Sequence, residues 1–195
     1  ALQRQTPDRV PFYELFVEPV MIEKMTGKKY SPESVVEWYY TLGHDYVNFE
    51  PDFGFTFTRC QAVSDTGVNN KDGVREWQVA DERGVIANRE DFENYPWPKA
   101  GKWCYENYDR YVSLLPKGMK LVIRPTGLWE NVRRMVNYEP LCYMMYDEPE
   151  LVKEIFYKAG QCIYDTIKSL FDNCDMSHAF AVIMGDDLAA GKGTL

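Results

Sequence analysis

Apolar residues between positions 151 and 171 recur every three or four residues, which is the spacing of one face of an α-helix. Asp147-Glu148-Pro149-Glu150 comes just before them and forms an acidic capping sequence with proline in the first turn. This pattern predicts the longest helix of the chain. Residues 179–184 follow with six apolar side chains and predict a buried β-strand. Two charged residues, Asp186 and Asp187, follow shortly after that strand.

The same alternation of strand and helix extends along the whole chain. Short apolar runs predict parallel strands at 10–16, 45–49, 119–124 and 179–184. Helical spacing and caps predict helices at 19–25, from Ser31 to Gly43, at 103–115, at 129–135 and at 141–146. About four strand–helix units make half of a (β/α)8 barrel, which needs about 250 residues. We therefore expect an α/β fold, with residues 1–195 as a single incomplete TIM-barrel domain; an open doubly wound sheet is the alternative.

Residues 53–98 interrupt this alternation. Two β-type segments, 74–79 and 85–87, flank a turn at 81–84 and predict a β-hairpin. Such insertions in barrels and open sheets usually lie over the active face. We expect the hairpin to be an insertion into the barrel, closed by the rigid turn Tyr95-Pro96-Trp97-Pro98.

Composition narrows the classes of partner. The net charge is −8 and no Lys/Arg cluster occurs, which argues against nucleic acid and anionic membranes. No long apolar run or signal-peptide pattern is present, so we expect a cytoplasmic protein with a small-molecule substrate. The five cysteines lack a C-x-x-C pair, and no Cys/His pair has the spacing of metal ligands, which predicts buried free thiols and no metal site in this segment.

Carboxylates follow two of the predicted strands, where parallel-sheet enzymes place their chemistry. Asp186 and Asp187 follow the last strand, and we predict that Asp186 is catalytic and faces the active site, while Asp187 binds substrate. The alternative is that one of the two caps the next helix. Asp52 follows the second strand as a second catalytic candidate, where it stabilises positive charge; a turn residue after Pro51 is the alternative.

Three further residues are candidates for substrate binding. Glu14 lies within the first predicted strand, and an inward-facing acid there needs a partner or a ligand. Arg124 ends the third strand, and Trp129 follows shortly after it, although tryptophan is more often a core residue. We expect Glu14, Asp52, Arg124 and Asp186 to share the carboxyl-terminal face of the sheet. His44 and His178 precede strands, which predicts structural roles.

Several segments, taken in order, resemble the uroporphyrinogen decarboxylase superfamily over nearly the whole chain. They are Thr6-Pro7-Asp8-Arg9-Val10-Pro11, Gly43-His44-Asp45-Tyr46-Val47, Glu93-Asn94-Tyr95-Pro96-Trp97-Pro98, Gly127-Leu128-Trp129-Glu130, Tyr146-Asp147-Glu148-Pro149-Glu150-Leu151-Val152 and Gly185-Asp186-Asp187-Leu188. The resemblance implies a (β/α)8 barrel, of which this chain would be the N-terminal half.

The resemblance implies one of two activities. In tetrapyrrole (porphyrin) biosynthesis, the decarboxylases of this superfamily use an aspartate that Asp52 matches in position, together with an arginine-rich segment after the first strand. Here that segment is Glu14-Leu15-Phe16-Val17-Glu18-Pro19, whose acids would repel a polycarboxylate. The corrinoid-dependent branch instead moves a methyl group between a methylcobalamin protein and a thiol held on zinc. It matches better, and its zinc ligands would lie in the second half of the barrel.

A third possibility belongs to a different class. The segment would then be a non-catalytic half-barrel that binds or assembles with another chain. We expect residues 1–195 alone to be inactive as an enzyme, because half of a barrel is missing from them. Half a barrel also leaves its first and fourth strands with unpaired edges, which favours pairing with a second copy, so a homodimer is expected.

Overall fold

The structure is a computed structural model that describes residues 6, 8–10, 12, 14–57, 60–63, 74–77, 83–190 and 193–194. The chain folds as two units, each built from separate segments. Unit 1 comprises Ala1–Phe49, Glu106–Arg124 and Cys174–Val182. Unit 2 comprises Glu50–Tyr105, Pro125–Asn173 and Ile183–Leu195.

Helices and short strands alternate through both units, as in an α/β protein. The helices are α1 Pro19–Thr26, α2 Pro32–Thr41, α3 Arg89–Asn94, α4 Tyr108–Leu114, α5 Leu128–Val136, α6 Tyr138–Asp147 and α7 Pro149–Asn173, with 3-10 turns at Lys102–Tyr105 and Met176–His178. The strands are β1 Tyr46–Phe49, β2 Cys60–Val63, β3 Val74–Trp77, β4 Lys120–Ile123, β5 Ala179–Val182, β6 Ala189–Ala190 and β7 Gly193–Thr194. None of these described helices combines the length and apolar character that a membrane crossing requires.

Unit 1 contains a three-stranded parallel sheet in the order β1-β4-β5. Tyr46 of β1 pairs with Lys120 of β4, and the register continues to Phe49 and Ile123. The Arg124 N–H donates to the Phe49 carbonyl at 2.8 Å and extends this ladder by one bond. Three of the four predicted parallel strands are therefore confirmed, and the fold is α/β with a small parallel sheet. The last strand is not buried as predicted, since Phe180 and Val182 of β5 are 45% and 49% exposed.

Helices α1 and α2 of unit 1 form where local signals predict them, whereas the α-helix predicted at 103–115 forms only over Tyr108–Leu114. Ser31 caps α2, its hydroxyl accepting from Ser34 N while the Ser34 hydroxyl accepts from Ser31 N, and Pro32 occupies the first turn. Elsewhere in unit 1, Phe49 of β1 packs edge-on against Tyr108 of α4, with ring centroids 5.2 Å apart. Val47 of the same strand is fully buried, and burial of each such side chain stabilises the unit by about 1.5–3 kcal/mol.

The predicted first strand at 10–16 does not form among its described residues, which are 10, 12 and 14–16. Side chains of β1 hold this segment instead of a main-chain ladder. The Glu14 N–H donates to the Tyr46 hydroxyl at 2.5 Å, and the Asn48 amide donates to the Glu14 carbonyl at 3.0 Å. These side chains take the main-chain groups of Glu14, so no strand forms at the described positions of this run, and residues 11 and 13 lie outside the described residues.

The predicted hairpin forms with a different partner strand. β2 pairs antiparallel with β3, so that Cys60 lies opposite Trp77. The predicted second strand at 85–87 is not a strand: Ile86 is fully buried in unit 2, and its N–H donates to the Met135 carbonyl. Residues 78–79 and 81–82 of the predicted hairpin lie outside the described residues.

Unit 2 has its core between α5, α6 and α7. Helix α7 runs 25 residues from Pro149, which confirms the strongest helix prediction. It buries the side chains predicted from their spacing, such as Ile155 and Ala159, against α5 and α6. The buried core residues are Ile86, Tyr95, Trp129, Val132, Met135, Val136, Leu141, Met144, Leu151, Val152, Ile155 and Ala159.

Candidate functional site

The carboxylate of Asp186 binds the N-terminus of α5. Its Oδ2 accepts from Trp129 N at 2.8 Å, and its Oδ1 accepts from Glu130 N at 2.9 Å. The first turn of a helix has free N–H groups and a partial positive charge, and a cap side chain usually accepts from its second and third residues. The local N-cap residue is Gly127, which has no side chain to do so. Asp186 therefore supplies the cap from a loop 56 to 57 residues away.

Gly127 allows this contact because it lacks a Cβ. A Cβ built there would lie 2.2 Å from Asp186 Cγ and 2.5 Å from the Gly185 carbonyl oxygen. The backbone of Gly127 has φ −65° and ψ 162°, a conformation that any residue adopts. The glycine is therefore required by the close approach of Asp186 and not by its backbone angles.

Two more contacts join the same segments. Thr126 and Gly185 form a parallel β-bridge. The amide of the buried Asn131 donates to the Gly127 carbonyl at 2.8 Å. The segment 125–131 and the segment 183–188 thus form one interlocked structure within unit 2, which we call the cap junction.

Asp187, the predicted substrate-binding neighbour of Asp186, is exposed. Within the described residues, no hydrogen bond or ion pair engages its carboxylate. Leu188 N donates to the Asp186 carbonyl at 3.1 Å, so the chain turns directly after the cap. The two adjacent aspartates therefore have different surroundings: one carboxylate binds a helix and the other faces solvent.

Asp52 lies three residues after β1, in the turn that the alternative interpretation predicted. Its Oδ1 accepts from Gly54 N at 2.8 Å, which is an Asx-turn, and its own N–H donates to the Cys104 carbonyl. The side chain is exposed. The turn orients the carboxylate without burying it, so its second oxygen remains accessible.

Glu14 and Arg124 belong to unit 1. The Glu14 side chain is exposed while its backbone is held by Tyr46 and Asn48. Arg124 is half-buried just after β4, and its N–H bonds to the end of β1. Each therefore lies beside β1, one along the strand and one at its carboxyl end.

Trp129, a predicted substrate-binding residue, lies in the core of unit 2. Its side chain is 7% exposed and stacks on Phe156, with ring centroids 6.0 Å apart. A ligand has almost no indole surface to touch there. The structure corrects the substrate-binding prediction, because the amphipathic spacing of α5 turns Trp129 toward α7.

The histidines have structural surroundings. His44 packs in an aromatic cluster with Trp38, Tyr39 and Tyr46, all within unit 1. His178 ends a 3-10 turn, with Nε2 3.6 Å from the Asp175 carboxylate. Neither belongs to a metal-binding group, and among the described residues no three His, Cys, Asp or Glu side chains are placed to hold a metal ion.

The sequence did not identify two residues of the cap junction, Gly127 and Asn131, as parts of a site. Gly127 stands in a quoted motif, yet its ordinary backbone angles leave no local sign of why it is glycine. Asn131 was not identified, although a polar residue on the apolar face of a helix is such a sign, since it must find a buried partner. Here that partner is the carbonyl four residues earlier.

Comparison of the chain with known protein families, curated proteins and solved structures finds no match.

Proposed function

We propose that this chain forms part of a (β/α)8 barrel enzyme of the uroporphyrinogen decarboxylase superfamily, and that the protein transfers a methyl group from a corrinoid protein to a thiol. The observation that carries the proposal is the cap junction. Gly127-Leu128-Trp129-Glu130 and Gly185-Asp186-Asp187-Leu188, two segments of the resemblance, are bound together through Asp186. Along the chain, the first segment follows β4 and the second follows β5. The parallel pairing of these two strands supports a barrel in which each segment begins after the carboxyl end of a strand.

Charge favours methyl transfer over tetrapyrrole decarboxylation. The substrate of a decarboxylase carries several carboxylates, which need cationic partners, each worth about 1.5–3 kcal/mol as a charge-assisted hydrogen bond. Glu14 presents an exposed carboxylate where the resemblance requires arginine. The chain as a whole also carries a net charge of −8. A methyl group on a corrinoid protein needs no such cationic clamp.

A bond forms between the thiol sulfur and the methyl carbon, and the bond from that carbon to cobalt breaks with its electron pair left on cobalt. The thiol proton goes to solvent. Zinc would favour the thiolate when bound, but the described residues offer no site for it. We propose that Asp52 and Asp187, both in unit 2, contribute to substrate binding, while the substrate-binding roles of Glu14 and Arg124 in unit 1 stay predictions.

A second candidate is uroporphyrinogen decarboxylation, and Asp52 is the observation that favours it. Its carboxylate is exposed, oriented by the Gly54 N–H, and placed where the resemblance implies the catalytic aspartate. Such an acid would hold pyrrole N–H groups and stabilise a protonated intermediate.

Two assays separate the candidates, and both use the full-length enzyme of which this chain would form part, because residues 1–195 alone are expected to be inactive. In the first, methylcobalamin and a thiol are supplied, and loss of the cobalt–methyl absorbance is followed together with the methylated thiol. In the second, uroporphyrinogen is supplied and coproporphyrinogen is measured. We expect turnover in the first assay only. Enzymatic formation of coproporphyrinogen that is abolished by Asp52→Asn would overturn the methyltransferase proposal.

A further inference from the structure

We propose that Asp186 is a positioning residue, and that it sets the place and direction of the Asp187 carboxylate in the ligand site. This inference rests on the proposed function, because Asp187 is one of its substrate-binding residues. Asp186 and Asp187 then have different roles, although two adjacent aspartates in a sequence suggest a pair with one shared role.

The bonds of Asp186 hold its carboxylate against the start of α5. Each oxygen accepts from one backbone N–H, at 2.8 Å from Trp129 and 2.9 Å from Glu130. Both donors belong to the first turn of α5, where the helix dipole also favours a negative charge. Withdrawing this carboxylate toward a ligand would leave two N–H groups of the helix unpaired.

The loop that carries Asp187 is held at its other points too. Thr126 bridges to Gly185 on one side of Asp186, and the Leu188 N–H bonds to the Asp186 carbonyl on the other. The missing Cβ of Gly127 lets the loop lie against the start of α5. Both neighbours of Asp187 are fixed in this way, so its exposed side chain projects from a backbone that is held in place.

A rigid support matters because a ligand-binding group loses effect when it is displaced by about 1 Å. Helix α5 is anchored by Val132 and Met135, which follow its first turn and are fully buried in the core of unit 2. Asp186 thereby connects that core to the loop in one step. Helix α5 thus supports the loop that carries Asp187, and Asp186 binds that loop to the helix.

Two matched variants test this, Asp186→Asn and Asp187→Asn. An asparagine at 186 has one acceptor oxygen for two N–H donors, so we expect amide hydrogen exchange at Trp129 or Glu130 to rise by about tenfold or more. Asp187→Asn should leave this exchange unchanged. Methyl transfer should fall in both variants, through kcat/KM in Asp187→Asn with the Tm unchanged, and together with a lower Tm in Asp186→Asn.

The conservative variant separates positioning from direct catalysis. Asp186→Asn keeps one of the two bonds and Asp186→Ala keeps none, so we expect activity and exchange protection to decline together in that order. Two results would overturn the inference: Asp186→Asn losing activity with full protection at Trp129 and Glu130, or Asp187→Asn transferring methyl groups like the parent protein. If the parent protein transfers no methyl group, the proposed function fails. Unchanged exchange in Asp186→Ala would then still refute the positioning role by itself.

Discussion

Gly127→Ala perturbs the cap junction at its tightest point. The new Cβ would lie 2.2 Å from Asp186 Cγ, 2.4 Å from Asp186 Oδ1 and 2.5 Å from the Gly185 carbonyl oxygen. Separations of this size are far inside van der Waals contact, so either the Asp186 carboxylate or the loop backbone must move. Alanine adopts the Gly127 backbone angles without strain, so the expected loss comes from the contact alone.

The size of the stability loss in Gly127→Ala follows from the hydrogen bonds that this movement breaks. Displacing the Asp186 carboxylate removes two charge-assisted hydrogen bonds to α5, each worth about 1.5–3 kcal/mol. The loss is therefore about 3–6 kcal/mol, a large part of the roughly 5–15 kcal/mol that stabilises a folded protein. For a chain of this length, about 2–4 °C of Tm corresponds to each kcal/mol. We expect Gly127→Ala to lower the Tm by at least about 6 °C.

Gly185→Ala is the matched control. It lies in the same junction, and nothing stands within 4 Å of a Cβ built there. Denaturant unfolding and thermal unfolding of both variants measure the difference. The reasoning also predicts non-additivity: in an Asp186→Ala background the two bonds are already absent, so Gly127→Ala should cost less than it does alone. Equal stability losses for Gly127→Ala and Gly185→Ala would refute the close-approach argument.

Three further expectations follow from other parts of the molecule. Gly84→Ala should lower the Tm by several degrees relative to Gly185→Ala, because its Cβ would lie 2.3 Å from a main-chain oxygen at the end of α5, and main-chain atoms cannot rotate away. A thiol reagent should modify the exposed Cys142 before Cys162, since burial raises the pKa of the Cys162 thiol, and Cys142→Ser should reduce the amplitude of the fast phase. Burial raises the pKa of Tyr108 to about 12, so its contribution to stability is complete below about pH 10 and is lost as the pH rises toward 12. Urea unfolding at pH 8 and pH 11 should therefore bring the parent protein and Tyr108→Phe closer in stability at the higher pH, and a constant gap would contradict this.

Elements with strong local signals were predictable from the sequence. Helix α7 follows a continuous apolar face, and α2 begins at Ser31 with proline in its first turn, as predicted. The strands β1, β4 and β5 lie within the predicted apolar runs. These patterns suffice because a buried face and a cap act between residues that are close along the chain.

Pairing partners were less predictable, since they depend on distant segments. The run 10–16 has strand character, yet its described residues meet the side chains of β1 instead of a neighbouring ladder. The strand at 74–77 was recognised, but its partner is 60–63 and not 85–87. Both alternatives satisfy the period-two pattern, so only the packing of Ile86 into the core of unit 2 excludes the second.

The candidate site divides in the same way. The sequence by itself placed Asp52 just after β1, with a turn as one of two interpretations, and two aspartates after β5, because strand ends and turn residues have local signatures. It could not tell which aspartate binds protein and which faces solvent. That distinction was decided by tertiary structure, which brings the N-terminus of α5 to Asp186 across more than fifty residues of chain. Unpaired N–H groups at a helix start donate to any carboxylate that the fold brings near, so no local pattern could identify Asp186 as the one.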